Sequence, residues 1–368
     1  MSKKTGHPRF APVAASAITI GLDVGDRHTA VCVLDAAGHV IETARVRTTP
    51  AALEPRLRAG PHARVVLETG THSPWLSRLA HACGHEVIVA QARRLQLISQ
   101  NLSKSDDVDA ETLARVGRLD PTLLAPVQHR TADAQAQLAV LRARDAVVRT
   151  RTLLINHVRG AVKTVGARVP TCSAASFARK AGPALPAELQ PALAPLVEQI
   201  QALTTQIGAF DRAIEHVAAT VYPVTAQLQQ IRGVGALTAL CYVLVLEDPE
   251  RFRTSRAAGA YLGLRPRRDQ SGASERQLHI TKTGDALLRK LVIQSGQYIL
   301  GPFGGDCDLR RWGLGLAARG GKAAKKRAVV AVARKLAVLL HHLWSTGVGY
   351  EPLHQATRLP AQHEPTAA

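Results

Sequence analysis

Aromatic side chains make up only 4% of the 368 residues and methionine occurs once, so the 46% hydrophobic content must build a core mainly from Ala, Leu and Val. Cysteine is sparse and scattered. Cys32, Cys83, Cys172, Cys241 and Cys307 form no Cys-x-x-Cys pair, which argues against a zinc site or a disulfide framework. No uninterrupted apolar run of about 18 residues occurs, so no membrane span is expected. Residues 1–17 lack the apolar segment of a signal peptide, which points to a cytoplasmic protein with a flexible N-terminal arm. Acidic residues are also short: 28 Asp and Glu stand against 47 Lys and Arg, a net charge of +19. That balance favours a polyanionic partner.

The excess is local. Residues 251–335 hold 19 Lys and Arg against 5 Asp and Glu, a pattern that indicates a nucleic-acid face. The length allows two or three domains.

The organising stretch is Ile18 to Asp35. Two apolar runs flank Asp23-Val24-Gly25-Asp26, which reads as a hairpin of buried strands with Asp23 ending the first. Taken alone, Asp23 is an Asp that holds its own turn. Val40 to Thr48 is a third strand, Ala51 to Arg58 a helix, and Ala63 to Glu68 an apolar strand ending on a carboxylate. Trp75 to Cys83 has helical spacing and Glu86 to Ala90 is a further strand, so a mixed α/β sheet with a crossover helix is expected. Lys104-Ser105-Asp106-Asp107-Val108-Asp109-Ala110 opens the next helix, where Asp106 and Asp109 share a face. Acids in a first turn are ordinary complements to the helix dipole. Four carboxylates around one cleft, however, would repel unless they held divalent cations.

Asp23, Glu68 and the Lys-Ser-Asp-Asp-Val-Asp-Ala segment resemble the DEDD, RuvC-like domain of a family of bacterial insertion-sequence transposases, the bridge-RNA-guided serine recombinases. Ser105 stands where that family usually has Thr. The resemblance implies an RNase H-like fold and places the metal and catalytic carboxylates on Asp23, Glu68, Asp106 and Asp109, with Asp107 a weaker competitor. The implied cofactor is Mg2+ (or Mn2+).

Residues 131–166 read as a helix with an apolar stripe and, on its other face, Arg142, Arg144, Arg149, Arg151 and Arg159 without matching acids, candidates for phosphate contacts. Five prolines make 169–195 linker-like. Leu193 to Val217 then forms about four heptads of a coiled-coil seam, open to pairing within the chain or to dimerisation. Gly233-Val234-Gly235 leading into a helix resembles a helix-hairpin-helix turn, although Arg232 stands where the family usually has Pro.

Gly263-Leu264-Arg265-Pro266, Ser271-Gly272, Lys282-Thr283-Gly284 and Leu288-Arg289 follow in the order and at the spacing of the same family. On that match Ser271 is the nucleophile; read alone it is a turn serine, with Ser274 the nearby competitor. Candidate nucleic-acid contacts are Arg142, Arg149, Arg151, Arg232, Gly233, Gly235, Arg265, Arg267, Arg268, Lys282, Arg289, Lys322, Lys325 and Lys326. Clustered glycines around 304–321 read as mobile loops, ahead of an apolar helix from Val329 to Trp344.

The expected organisation is an arm (1–17), an α/β RuvC-like domain (18–130), a helical coiled-coil connector (131–222), a mostly helical DNA-binding domain (223–350) and a disordered tail (351–368). The resemblance implies donor and target DNA and a guide RNA as partners. It also implies a homo-oligomer, dimer or tetramer, whose serine and metal domains meet in trans. A water-using resolvase or nuclease, and a non-catalytic nucleic-acid-binding protein, are the alternatives.

Overall fold

The computed structural model describes residues 17–91, 105–271 and 274–354, leaving the side chains of 268–277 outside that description. The chain divides into two compact units, Met1–Arg130 and Thr131–Ala368. The expected N-terminal arm and most of the expected tail lie outside the described residues.

The first unit is a five-stranded mixed sheet. Runs of Val, Leu and Ile make β1 (Thr19–Val24), β2 (His28–Leu34), β3 (Val40–Arg47), β4 (Arg64–Glu68) and β5 (Glu86–Ala90), in the order β3-β2-β1-β4-β5. The β1–β2 and β2–β3 pairs are antiparallel; β1–β4 and β4–β5 are parallel. Alternation decides which helix covers which face. Leu22, Val31, Val65 and Leu67 point to one side, against Leu53 and Leu57 of α1 (Pro50–Ala59) and Leu76 and Ala80 of α2 (Ser73–Ala82). Ala30, Cys32 and Leu34 point to the other side, against Ala110 and Ala114 of α3 (Asp106–Leu119).

Helix α3 lies unusually close to the sheet. A Cβ on Gly21 would collide with the Ala110 carbonyl oxygen and stand 2.8 Å from the Ala114 amide nitrogen; one on Gly117 would run into Val66. Glycine at both places allows the helix to settle on β1 and β4.

The second unit begins with α4 (Ala132–Thr164), a short α5 (Phe177–Ala181) and α6 (Gln190–Thr220). Arg144 meets Asp211 at 2.5 Å and Arg151 meets Thr204 at 3.3 Å. As numbers rise along α4 they fall along α6, so the two helices form an antiparallel pair. Leu193, Ile200, Ile207 and Ile214, one residue per heptad, are buried in the chain. The 169–195 interval is not a bare linker. Phe177, Ala181 and Leu185 are buried with Val158, Val162 and Leu193, closing the far end of the pair. Pro191 falls in the first turn of α6, where the amides have no intrahelical partner for proline to remove, whereas Pro195 lies inside the helix and leaves the Pro191 carbonyl without its intrahelical donor.

The remainder packs around α8 (Ala236–Leu246), in which every residue from Thr238 to Leu246 is buried. Around it lie α7 (Val224–Leu228), α9 (Ser255–Tyr261), α10 (Ala286–Leu300), α11 (Asp308–Ala317) and α12 (Gly321–Thr346). The Tyr242 hydroxyl donates to the Ala337 carbonyl at 2.7 Å, tying α8 to α12. Helix α12 is long and apolar enough by composition to cross a membrane, but Val332, Ala333, Leu336, Ala337 and Leu340 lie in the core.

One expectation fails in this region: Gly313 and Gly315 are not loop residues but part of α11, and a Cβ on Gly313 would meet Val332 and Leu300. Within this mostly helical unit the serine-bearing stretch is a two-stranded antiparallel hairpin of β6 (Pro266–Ser271) and β7 (Ser274–Ile280).

Candidate active site

Asp23 is in register with Ala30, and Ala30 with Arg45, so one row crosses three strands. Because Ala30 packs toward α3, directly opposed Asp23 and Arg45 share that face. On the parallel neighbour, Leu22 pairs with Leu67, which places Glu68 one residue on, beside Asp23. Glu68 has the parity of Val66, which also faces α3. Both carboxylates therefore emerge on the α3 side at the carboxyl ends of adjacent parallel strands. The direction of strand addition reverses between β1 and β4, the place where open α/β sheets hold ligands.

The start of α3 lies over this row. The Ser105 side chain accepts a hydrogen bond from the Val108 amide at 3.3 Å and caps the helix. Asp109 is buried, 8% exposed, while Asp106 and Asp107 are exposed. The Asp106 carboxylate accepts a hydrogen bond from the Arg45 guanidinium at 3.1 Å. Sheet and helix thus bring Asp23, Glu68, Asp106 and Asp109 to one face. Among the described residues, no three His, Cys, Asp or Glu side chains are grouped closely enough to hold a metal ion.

The loops beyond the two strand ends are tied together. His72 Nε2 lies 3.4 Å from Asp26, while Trp75 Nε1–H donates to His72 Nδ1 at 3.1 Å. Buried Ser73 donates to the Gly70 carbonyl, accepts from its amide, and meets His129 Nε2 at 2.8 Å. Burial, with Arg78 and Arg130 nearby, holds the His129 imidazole below its ordinary pKa. Arg45 and the Ser73–His129 clamp had no sequence signal: neither belongs to a spaced motif, and both contacts span at least 56 residues.

In the second unit, Ser271 closes β6 opposite Ser274, at the tip of the hairpin. Arg232, Arg265, Arg267, Lys282, Lys322, Lys325 and Lys326 are exposed. Arg268 is placed in β6 by its backbone alone. Gly233 adopts φ 105°, a conformation glycine accepts readily, and Gly235 precedes α8. Arg289 is turned inward, donating to the Leu262 and Thr283 carbonyls at 3.2 and 2.8 Å.

Three of the five α4 arginines have matching acids: Arg142 meets Asp285 and Arg144 meets Asp211 from elsewhere in the chain, and Arg149 meets Asp145 one turn earlier in α4 itself. Arg159 lies over the Phe177 ring at 5.2 Å, and the Arg151 guanidinium is shifted down by burial. Arg142 and Arg149 remain more than half exposed, at 53% and 70%.

A sheet carrying carboxylates at its switch point, in a chain with a strongly basic second part, fits the class of enzymes that act on nucleic acid. A family model for the IS110 DEDD domain, described as "Transposase", matches residues 20–166, and one described as "Transposase IS116/IS110/IS902 family" matches 225–300. A probable family 20 transposase of Pseudomonas aeruginosa is 29% identical over 90% of this chain and 98% of its own length. The transposase for insertion sequence element IS1111A of Coxiella burnetii is 29% identical over 87% and 88%, respectively. That for IS1328 of Yersinia enterocolitica is 28% identical over 75% and 81%. The two family models together cover more than half of the chain, which belongs to the IS110/IS116 family of insertion-sequence transposases.

Proposed function

We propose that this transposase cuts and rejoins DNA through Ser271, acting with divalent cations held by Asp23, Glu68, Asp106 and Asp109. The observation that carries the reading is the placement of Asp23 and Glu68 on adjacent parallel strands, facing the first turn of α3. The strand order β3-β2-β1-β4-β5 supports an RNase H-like, RuvC-like assignment. The donor set is all carboxylate, the hard oxygen chemistry that suits Mg2+ or Mn2+ rather than zinc. Bound there, the cation would neutralise charge on the phosphate and lower the pKa of a hydroxyl. Asp106 would have to exchange its Arg45 partner to serve as a ligand.

The serine Oγ attacks phosphorus, the P–O3′ bond breaks, and the leaving 3′-oxygen takes up the proton lost by the serine. The strand is held by its 5′-phosphate on Ser271 until a partner 3′-hydroxyl reverses the step. A serine hydroxyl needs activation at neutral pH, so the serine of one subunit completes the carboxylate cleft of another. Exposed Arg142 and Arg149 are candidates for the backbone of a guide RNA, and the turn at Arg232, Gly233 and Gly235 acts as a helix-hairpin-helix grip on DNA phosphate.

Purified protein, supplied with its element's ends and flanking RNA, is expected to recombine them only with both divalent metal and RNA present. Efficient recombination with all RNA removed would exclude the guide. Cleavage that leaves water-hydrolysed ends and no adduct would make it a resolvase-like nuclease instead.

A further inference from the structure

A groove of about 1930 Å³ runs through the second unit between α12, α11 and the base of the β6–β7 hairpin. That is well above the roughly 300–1,000 Å³ of a small-molecule site. Its floor is apolar, with Leu264, Ile280, Val330 and Leu339 among the lining residues. Its rim carries Arg256, Lys282, Lys326, Arg327, Arg334 and Lys335. Two acids line it, Asp308 and Glu351, and Glu351 is engaged by His354 at 2.7 Å. Along α12 the order is Lys326-Arg327, Val330-Ala331, Arg334-Lys335, Val338-Leu339, so cations and apolar residues alternate on one strip. The Lys335 ammonium lies 3.9 Å from the centroid of Trp312, an aromatic side chain 36% exposed at the groove wall.

We infer that this groove holds an unpaired segment of the DNA strand that the hairpin presents for cleavage, an inference that rests on Ser271 being the nucleophile. A duplex hides its bases in the stack and would leave the apolar floor wet. A single strand alternates phosphate and base, matching the alternation of cation and apolar side chain on α12. Non-specific single-strand sites combine these same two features, a basic track and aromatic platforms. Continuity with the hairpin selects DNA. Pro266 and Ile280 close the hairpin's base at the groove, and Ser271 lies five residues further along β6. That is about 16 Å at roughly 3.3 Å per residue, so a strand leaving the groove runs along the hairpin to the serine.

The test is fluorescence anisotropy with the full chain and three labelled 12-mers: unpaired oligo-dT, unpaired oligo-rU and a DNA duplex. Lys326→Gln/Arg327→Gln removes two exposed cations without touching the core. Arg179→Gln/Lys180→Gln, at the closed end of the helical pair, removes the same charge elsewhere. The rim variant is expected to weaken oligo-dT binding and lower the salt slope by about 1.4, at roughly 0.7 per lost phosphate contact. The control variant leaves both unchanged. Trp312→Ala is expected to cost roughly 5- to 150-fold in oligo-dT affinity, the span of one lost base stack, with an unaltered slope.

Equal losses in rim and control variants, or equal losses for duplex and oligo-dT, would overturn the proposal. Preference for oligo-rU would overturn the assignment to DNA. A change in subunit association with unchanged oligo-dT binding would make the groove a protein interface and exclude the strand. These readouts need no cleavage. A protein–DNA adduct that survives Ser271→Ala would defeat the serine assignment while leaving the groove data standing.

Discussion

The Arg45 guanidinium stands 3.1 Å from the Asp106 carboxylate, in the sheet row that also contains Asp23. Both side chains are more than half exposed, at 64% and 58%. An exposed pair of this kind contributes about 0–1 kcal/mol to stability, so its consequence lies in competition for the carboxylate. Arg45→Ala is expected to leave the thermal midpoint almost unchanged while lowering the Mg2+ concentration needed for half-maximal cleavage. An unchanged Mg2+ requirement would separate Asp106 from the metal.

Asp106→Asn is expected to abolish cleavage and Asp107→Asn to have a mild effect. The opposite ranking would move the ligand to Asp107, since both are exposed in the first turn of α3.

Gly21 has no room for a side chain beneath Ala110 and Ala114. Gly21→Ala is expected to destabilise the first unit by about 1–3 kcal/mol, the usual cost of overpacking, and to lift α3 off β1. Denaturant unfolding measures the first effect. Cleavage falling by more than the lost stability accounts for would report the second.

The His129 imidazole, hydrogen-bonded to Ser73, is held below its ordinary pKa of about 6.5 by burial, with Arg78 and Arg130 adding to the effect. Below that pH the unfolded chain binds a proton that the folded chain refuses, so this contribution is present above about pH 6.5. It is lost as pH falls through the lower folded pKa. Unfolding midpoints measured from pH 8 to pH 5 should fall at the acid end, and His129→Gln should flatten that fall. A His129→Gln protein with the same acid slope would show that another group is responsible.

Much of the first unit can be read in its residues. Strands β1 to β5 follow from runs of Val, Leu and Ile, and the start of α3 follows from Ser105 and the acids after it. Neither the partner of Asp106 nor the depth of Asp109 could be read, because both depend on contacts made across the sheet. In the second unit the heptad positions of α6 are legible, but not that α4 of the same chain covers them. The β6–β7 hairpin has almost no apolar alternation to announce it, since Pro-Arg-Arg-Asp-Gln-Ser and Ser-Glu-Arg-Gln-Leu-His-Ile read as polar loops. Helix α12 begins at Gly321, about two turns before its apolar run, because the preceding Lys-rich turns continue the same helix.

Mixing variants probes assembly. Ser271→Ala and Asp106→Asn proteins are each expected to be inactive alone and to recover part of the cleavage when combined in one oligomer. No recovery in demonstrably mixed oligomers would contradict a site completed in trans.

The most direct measurement is trapping of the covalent strand. DNA ends labelled on the strand whose 5′-phosphate would be captured are incubated with protein, RNA and Mg2+, then denatured, and the adduct is digested and mapped by mass spectrometry. The account predicts a nucleotide attached to the peptide containing Ser271, absent without divalent metal and absent from Ser271→Ala. An adduct that persists in Ser271→Ala, or efficient cleavage with no adduct at all, would contradict it.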